Sequence, residues 1–284
     1  MKLSNKLLIT LAIILFVMPI SVIYVVTKTN RVDAKEYTAI TQEEAISMAV
    51  PDKYMRTINV QPFKQVSIVG SNRTSLNLQL VKSKKFAVKV DKGKETDFVY
   101  QIDDRGNLEL DFQNHDRYNY LSVSIFSPEV EGLSLSKVHL HNFTVQASEF
   151  HMKLAEQGDL NFGLNTKIDH LSLKVSRSNF DIRWVDVVGE PFHGVRDLTL
   201  DLDSSSIRIH KKALASLNAG IKDSEIAFNL QKDTASNINE MNVTTHGKSA
   251  VYLNNAEINQ LSGSLSDQTT TDVPVFYLRK LLNK

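Results

Sequence analysis

The chain contains no cysteine. That absence excludes disulfide frameworks, thiolate zinc sites, cysteine nucleophiles and lipid attachment through an N-terminal cysteine. Net charge is also nearly absent. The 33 basic and 32 acidic side chains leave a formal charge of +1, too little to gather phosphates, so nucleic acid is a poor partner. No G-x-S-x-G turn is present to expose a serine nucleophile. Beyond the N-terminus no long helical pattern occurs; only residues 42–48 suggest a short helix before Pro51. What remains is 284 residues, 42% hydrophobic and 23% charged, an ordinary composition for a chain that buries a core.

The one long apolar run is LLITLAIILFVMPISVIYVV, residues 7–26, which carries no charge over 20 residues. At about 1.5 Å of rise per residue a helix of that length matches the roughly 30 Å hydrocarbon core of a bilayer. Tyr24 would lie near an interface, and Pro19 would kink the helix or mark its weaker end. The following VVTKTN offers no small-x-small cleavage site, which favours an uncleaved signal anchor over a cleaved signal peptide. The expected organisation is a tail at 1–6, a single transmembrane helix at 7–26 and a polar stalk at 27–62. A β domain at 63–270 and a capping segment at 271–284 follow. On this reading the protein is held in the cell inner membrane with its main domain on the extracytoplasmic, periplasmic side.

From Phe63 onward the apolar period is two. VSIVG, LNLQLV, FAVKV, LELDF and LSVSIF alternate as half-buried strands do, with turn formers between them. A unit then recurs: LSLSKVHLHNFTV, MKLAEQGDLNFGL, LSLKVSRSNFDIRW, LTLDLDSSSIRIH, LNAGIKDSEIAFNL, MNVTTHGKSAVYL and LSGSLSDQTTTDV begin at 133, 152, 171, 198, 217, 241 and 261. A period near 20 residues is the mark of a solenoid, whose units bury their apolar faces only by stacking. The expected fold is all-β: a right-handed parallel β-helix with coils of about 20 residues. In the copy at 198, Leu198, Leu200 and Leu202 point inward, a corner at residues 203–205 shifts the parity, and Ile207 and Ile209 point inward again. Thr199, Asp201, Arg208 and His210 face out. A meandering antiparallel sandwich would alternate equally well, but it would not require the same corner residues at the same offset in each copy.

Four features invite a chemical reading. The serines at 204–206 look like a nucleophile cluster, yet Ser178, Ser205 and Ser224 share one offset in successive copies, as a stacked hydroxyl ladder would. His139 and His141 alternate on one strand and would project from one face about 6–7 Å apart, but no third ligand accompanies them and no metal is expected. Asp181 and Arg208 occupy adjoining outward offsets and are expected to pair across coils. The longest insertion, WVDVVGEPFHGVRD, carries the only tryptophan; Trp184, Pro191, Phe192 and His193 form the candidate interaction loop, the alternative being a loop folded back with Trp184 buried. No catalytic residue, cofactor or metal site is expected.

The order FKQVSIVGS, LNLQLVKSKKFAVKVD, the hairpin FVYQIDDRGNLELDF and then YLSVSIFSPEVEGLSLSKV resembles the head GIN domain family of autotransporter-adhesin heads. The likeness covers roughly residues 63–265 and departs after Pro128, where the family often has a serine- and glycine-rich first repeat and this chain has Ser134, Ser136 and Lys137. It implies a β-rich cell-envelope domain without an established activity. Together these features lead to the expectation of a membrane-anchored structural, adhesion-like or interaction module without catalysis, with a protein or glycan partner. A carbohydrate-binding or carbohydrate-cleaving β-helix is the alternative.

Overall fold

The computed structural model describes residues 13–30, 34–96, 98–112, 120–156, 158–184, 194–210, 213–228, 236–254 and 256–282. The chain divides into two compact units, residues 1–44 and 45–284.

In the first unit a π-helical turn, Ile13–Val17, leads into the α-helix Met18–Asn30. Pro19 lies where the π-helical turn passes into the α-helix, and its missing N–H removes one donor from the helical run there. Leu15, Phe16, Met18, Ile20 and Ile23 are all exposed. Among the described residues no helix is long and apolar enough to cross a membrane; residues 7–12 of the apolar run lie outside them. A second helix, Ala34–Ile46, is longer than the short pattern at 42–48 because AKEYTAITQEEAI is rich in strong helix formers.

Among the described residues the second unit holds 19 strands in one continuous sheet. From Gly132 to Thr271 every pairing is parallel, which no antiparallel sandwich allows. Each coil consists of a long strand, a tight corner and a short strand. The long strands Gln146–Ala155, Lys167–Ser176, Gly194–Asp203, Ala213–Lys222, Asn237–His246 and Glu257–Ser264 stack in one row. The short strands Leu160–Phe162, Asn179–Trp184, Ser206–His210, Glu225–Phe228 and Ala250–Tyr252 stack in another. Leu171, Leu198, Leu217, Met241 and Leu261 lie one above the next, as do Phe180, Ile207, Ile226 and Val251. All of them belong to a single buried column. At about 2 kcal/mol for each fully buried aliphatic side chain, this column is the dominant favourable term. In the copy at 198 the in-and-out pattern is the expected one at each residue named.

One register differs from the sequence alignment. Leu133 does lie on Met152, but Met152 lies on Leu173 and Phe150 on Leu171. A slip of two residues preserves the alternation, and FHMKL offers an apolar residue at each inward position, so parity alone does not set the register.

The opening strands form both a coil and a cover. Gln65–Lys82 pairs in parallel with Gly132–Thr144, Leu108–Asp111 and Leu121–Ser127, as a coil should. Antiparallel pairing joins Leu121–Ser127 to Ala87–Asp91, and Ala87–Asp91 to Met55–Asn59, so strand pairing starts at Met55, ahead of Phe63. Lys89 interrupts the apolar Ala87–Asp91 strand and is 1% exposed. Its ammonium donates to the Ser47 carbonyl at 2.9 Å and pairs with Asp52 at 3.0 Å. At the other end the helix Val275–Leu282 follows Pro274, and the Tyr277 hydroxyl accepts the Ile258 N–H at 3.1 Å on the last long strand. Gly263 of that strand has φ +132°, and a Cβ there would lie 1.8 Å from the Val243 carbonyl oxygen. This close approach explains why the last copy reads LSGSL.

Candidate functional site

Two polar seams run along the coils. The first follows the corner after each long strand. Lys137, Glu156, Arg177, Ser204, Asp223 and Gly247 stack there, each with φ between 47° and 63°. Left-handed backbone at one point in every coil turns the chain sharply and shifts the strand parity. Lys137 and Arg177 both pair with Glu156, at 3.5 Å each.

Beneath these residues lie Ser178, Ser205, Ser224 and Ser249, all at most 5% exposed. Ser178, Ser205 and Ser224 donate their hydroxyls to the carbonyls of Ser176, Asp203 and Lys222 at 2.9, 2.9 and 2.6 Å. The Ser205 and Ser224 oxygens accept the N–H groups of Ser178 and Ser205, at 3.2 and 2.9 Å. The backbone continues the ladder, with Ser206, Glu225 and Ala250 N–H groups each 2.8 Å from the serine carbonyl of the adjoining coil. An open groove of about 780 Å³ runs over this corner. Its floor is already committed: the Ser205 hydroxyl both donates and accepts.

The second seam was not legible beforehand. In each long strand the alternation breaks once, where two successive residues face out: Ser148 and Glu149, Asp169 and His170, Arg196 and Asp197, Ala215 and Ser216, Asn239 and Glu240, Asn259 and Gln260. The strand bends there. Glu149, His170, Asp197, Ser216, Glu240 and Gln260 are in register across six coils. Asp197 receives His170 Nδ1 at 3.1 Å, Arg196 Nε at 3.0 Å and the Ser216 hydroxyl at 2.8 Å. A notch of about 520 Å³ opens over the small Ala215 and Ser216. Consecutive outward polar residues read like a turn, which hid the bend.

The remaining candidates are placed as follows. Arg208 reaches Asp181 at 3.5 Å across coils, and the same carboxylate takes Arg183 and, at 2.9 Å, His210 Nε2. His139 and His141 both point outward but serve separately: the His139 ring lies over Gly158, and the His141 ring packs on Tyr120 at 4.3 Å. Among the described residues no three His, Asp or Glu side chains are placed to hold a metal ion. Trp184 is 7% exposed and stacks on Phe162 with ring centroids 5.0 Å apart. Its buried Nε1–H has no hydrogen-bond partner among the described residues. Its ring belongs to the core, and Pro191, Phe192 and His193 of the candidate loop lie outside the described residues.

Carboxyl groups held below their ordinary range sit at the N-terminal end of the β unit, away from both seams. Burial pushes Asp52 up, but hydrogen bonds from Thr57 and Lys89 together outweigh it. Asp103 is lowered by the N–H and then the side-chain amide of Asn107, which close the D-D-R-G-N turn at 2.8 Å each.

The fold and these seams define a class: a parallel β-solenoid with polar, open outer faces. No family model and no curated protein matches the chain. Solved structures do resemble it. A candidate adhesin from Parabacteroides merdae is 14% identical, with a TM-score of 0.43 over 76% of this chain and 91% of that one. A second candidate adhesin, from Parabacteroides distasonis, is 15% identical with a TM-score of 0.40, over 76% and 92%. A candidate lipid-binding protein from the same species is 15% identical with a TM-score of 0.36, over 77% and 96%. Overlaps of this size assign neither a family nor an activity.

Proposed function

We propose that the protein is a membrane-tethered, extracytoplasmic β-solenoid of the GIN type that acts as an adhesion-like interaction module of the cell envelope, without catalytic activity. The uncharged run at 7–26 is the tether and holds the protein in the inner membrane. The coils wind right-handed, as parallel crossovers do. The observation that carries the reading is the closed bonding of the serine corner: the hydroxyls beneath the larger groove are bound to backbone from coil to coil. A rigid column whose corner hydroxyls are bound internally presents surface and performs no bond-making of its own. No cofactor or nucleic acid enters this function; its partner is a protein or a glycan.

Two measurements test it. Cells producing the full chain should yield it in the membrane fraction, and protease added to the extracytoplasmic side should remove the β unit. The same cells should adhere to a coated surface better than cells lacking the chain. A chain recovered in the soluble fraction would end the tether, and turnover of any polysaccharide by the purified protein would end the non-catalytic reading.

A further inference from the structure

The bend seam holds a feature that the corner seam lacks, a gap one coil wide. Over the notch the strand Ala213–Lys222 presents only Ala215, Ser216 and Asn218 outward, where its neighbours carry Arg196 and Asp197 on one side and Asn239 and Glu240 on the other. The two flanking strands are two rungs apart, about 9.6 Å at the usual strand spacing. Small side chains between larger ones leave the 520 Å³ notch.

Its chemistry narrows the occupant. Asp197 is fixed by three donors, and its side chain is 18% exposed. It orients the Ser216 hydroxyl by accepting its hydrogen bond, which leaves the Ser216 oxygen lone pairs free to accept. Glu240 on the opposite wall has no ion-pair partner among the described residues, and Asn218 and Thr199 beside the floor carry an amide and a hydroxyl. Carboxylates on both walls repel an anion, while the Arg196 guanidinium repels a cation. An extended peptide has no edge to join, since the strand Ala213–Lys222 is paired on both sides. The notch lining has no large apolar side chain to receive a hydrophobic anchor. A neutral ligand dense in groups that both donate and accept fits what is left.

We propose that this notch is a saccharide subsite that takes a neutral hexose unit of a glycan edge-on, with Asn218, Glu240 and Ser216 bonding its hydroxyls. Its biological use rests on the adhesion-like reading above; its chemistry does not.

The test uses the purified full chain in detergent micelles, electrophoresed through gels containing galactomannan or mixed-linkage β-glucan as neutral probes and alginate or heparin as acidic ones. At least one neutral polymer should retard the protein. Asn218→Ala and Glu240→Gln should each weaken that retardation roughly tenfold, as loss of one hydrogen bond to a bound hydroxyl does. Ser216→Trp should abolish it by filling the notch, with the thermal midpoint unchanged. Ser262→Ala, on the same outer face in the last coil, should leave it intact. Retardation by acidic polymers alone, by none of the four, or surviving Ser216→Trp would overturn the proposal. The adhesion assay separates the two readings. Cells that adhere through the chain but bind equally well with Ser216→Trp keep the adhesion module and lose the notch. Neutral-glycan binding that Ser216→Trp abolishes, in a chain that gives cells no adhesion, keeps the notch and loses the module.

Discussion

The corner seam and the bend seam occupy the same kind of position, a change of direction repeated in coil after coil, and they dispose of their polar groups in opposite ways. At the corner, Ser178, Ser205 and Ser224 turn their hydroxyls inward onto backbone and are almost completely buried. At the bend, His170, Asp197, Ser216 and Glu240 turn outward and bond to one another or to nothing described. The left-handed residue makes the difference. At the corner the backbone reverses tightly enough to bring the next side chain under its own carbonyl, whereas the bend leaves the strand extended and sends two side chains to solvent. A repeated polar residue is therefore structural or functional according to the backbone that carries it.

That contrast predicts large effects where polar groups are enclosed. Asp52 and Lys89 are the enclosed extreme, and Asp52→Ala, which leaves a nearly inaccessible ammonium with only the Ser47 carbonyl, should cost about 3 kcal/mol in chemical denaturation. The pair also sets an acid limit. Asp52 is held below its ordinary 3.8, so its contribution is complete above that value and is lost as the pH falls through the lower folded value. Asp52→Asn should flatten the acid limb of a stability profile and leave the neutral region pH-independent.

Next in size is Ser205→Ala. It removes the acceptor for the Ser178 N–H and the donor to the Asp203 carbonyl together, and an unpaired buried N–H costs about 2 kcal/mol. Thermal unfolding checks this, and a loss below about 0.5 kcal/mol would mean that the corner hydroxyls are ornamental and the contrast is empty. The corner backbone gives an effect of opposite sign. Ser204 has φ 52°, a conformation costly for a side chain and free for glycine. Ser204→Gly should stabilise by about 0.5–1 kcal/mol, while Ser204→Val should destabilise.

The alternation made the inward rows legible, and the corner serines showed themselves by recurring at one offset. Strand direction was also legible, because a period near 20 residues leaves no room for helical crossovers. Three things were not. The Phe150-on-Leu171 register escaped because a two-residue slip preserves parity. Trp184 admitted two readings beside the insertion, a loop anchor or a buried ring, and only its stacking on Phe162 of the adjoining coil decides for the buried one. The notch escaped because it is made by what Ala215 and Ser216 lack, and a gap has meaning only once its neighbours are in register.

The smallest expected effect is the sharpest test of the contrast, because it sets one serine against another. Ser216 donates to Asp197 as Ser205 donates to Asp203, at 2.8 and 2.9 Å, so a count of hydrogen bonds would rank the two alike. Their surroundings differ. Asp197 keeps His170 and Arg196 when Ser216 is removed, and water reaches the vacated place, whereas nothing replaces Ser205. Ser216→Ala should therefore change stability by less than about 0.5 kcal/mol. Paired denaturation curves of Ser216→Ala and Ser205→Ala decide the point, since equal midpoints would show that burial, and not bonding, had been misjudged at one of the seams.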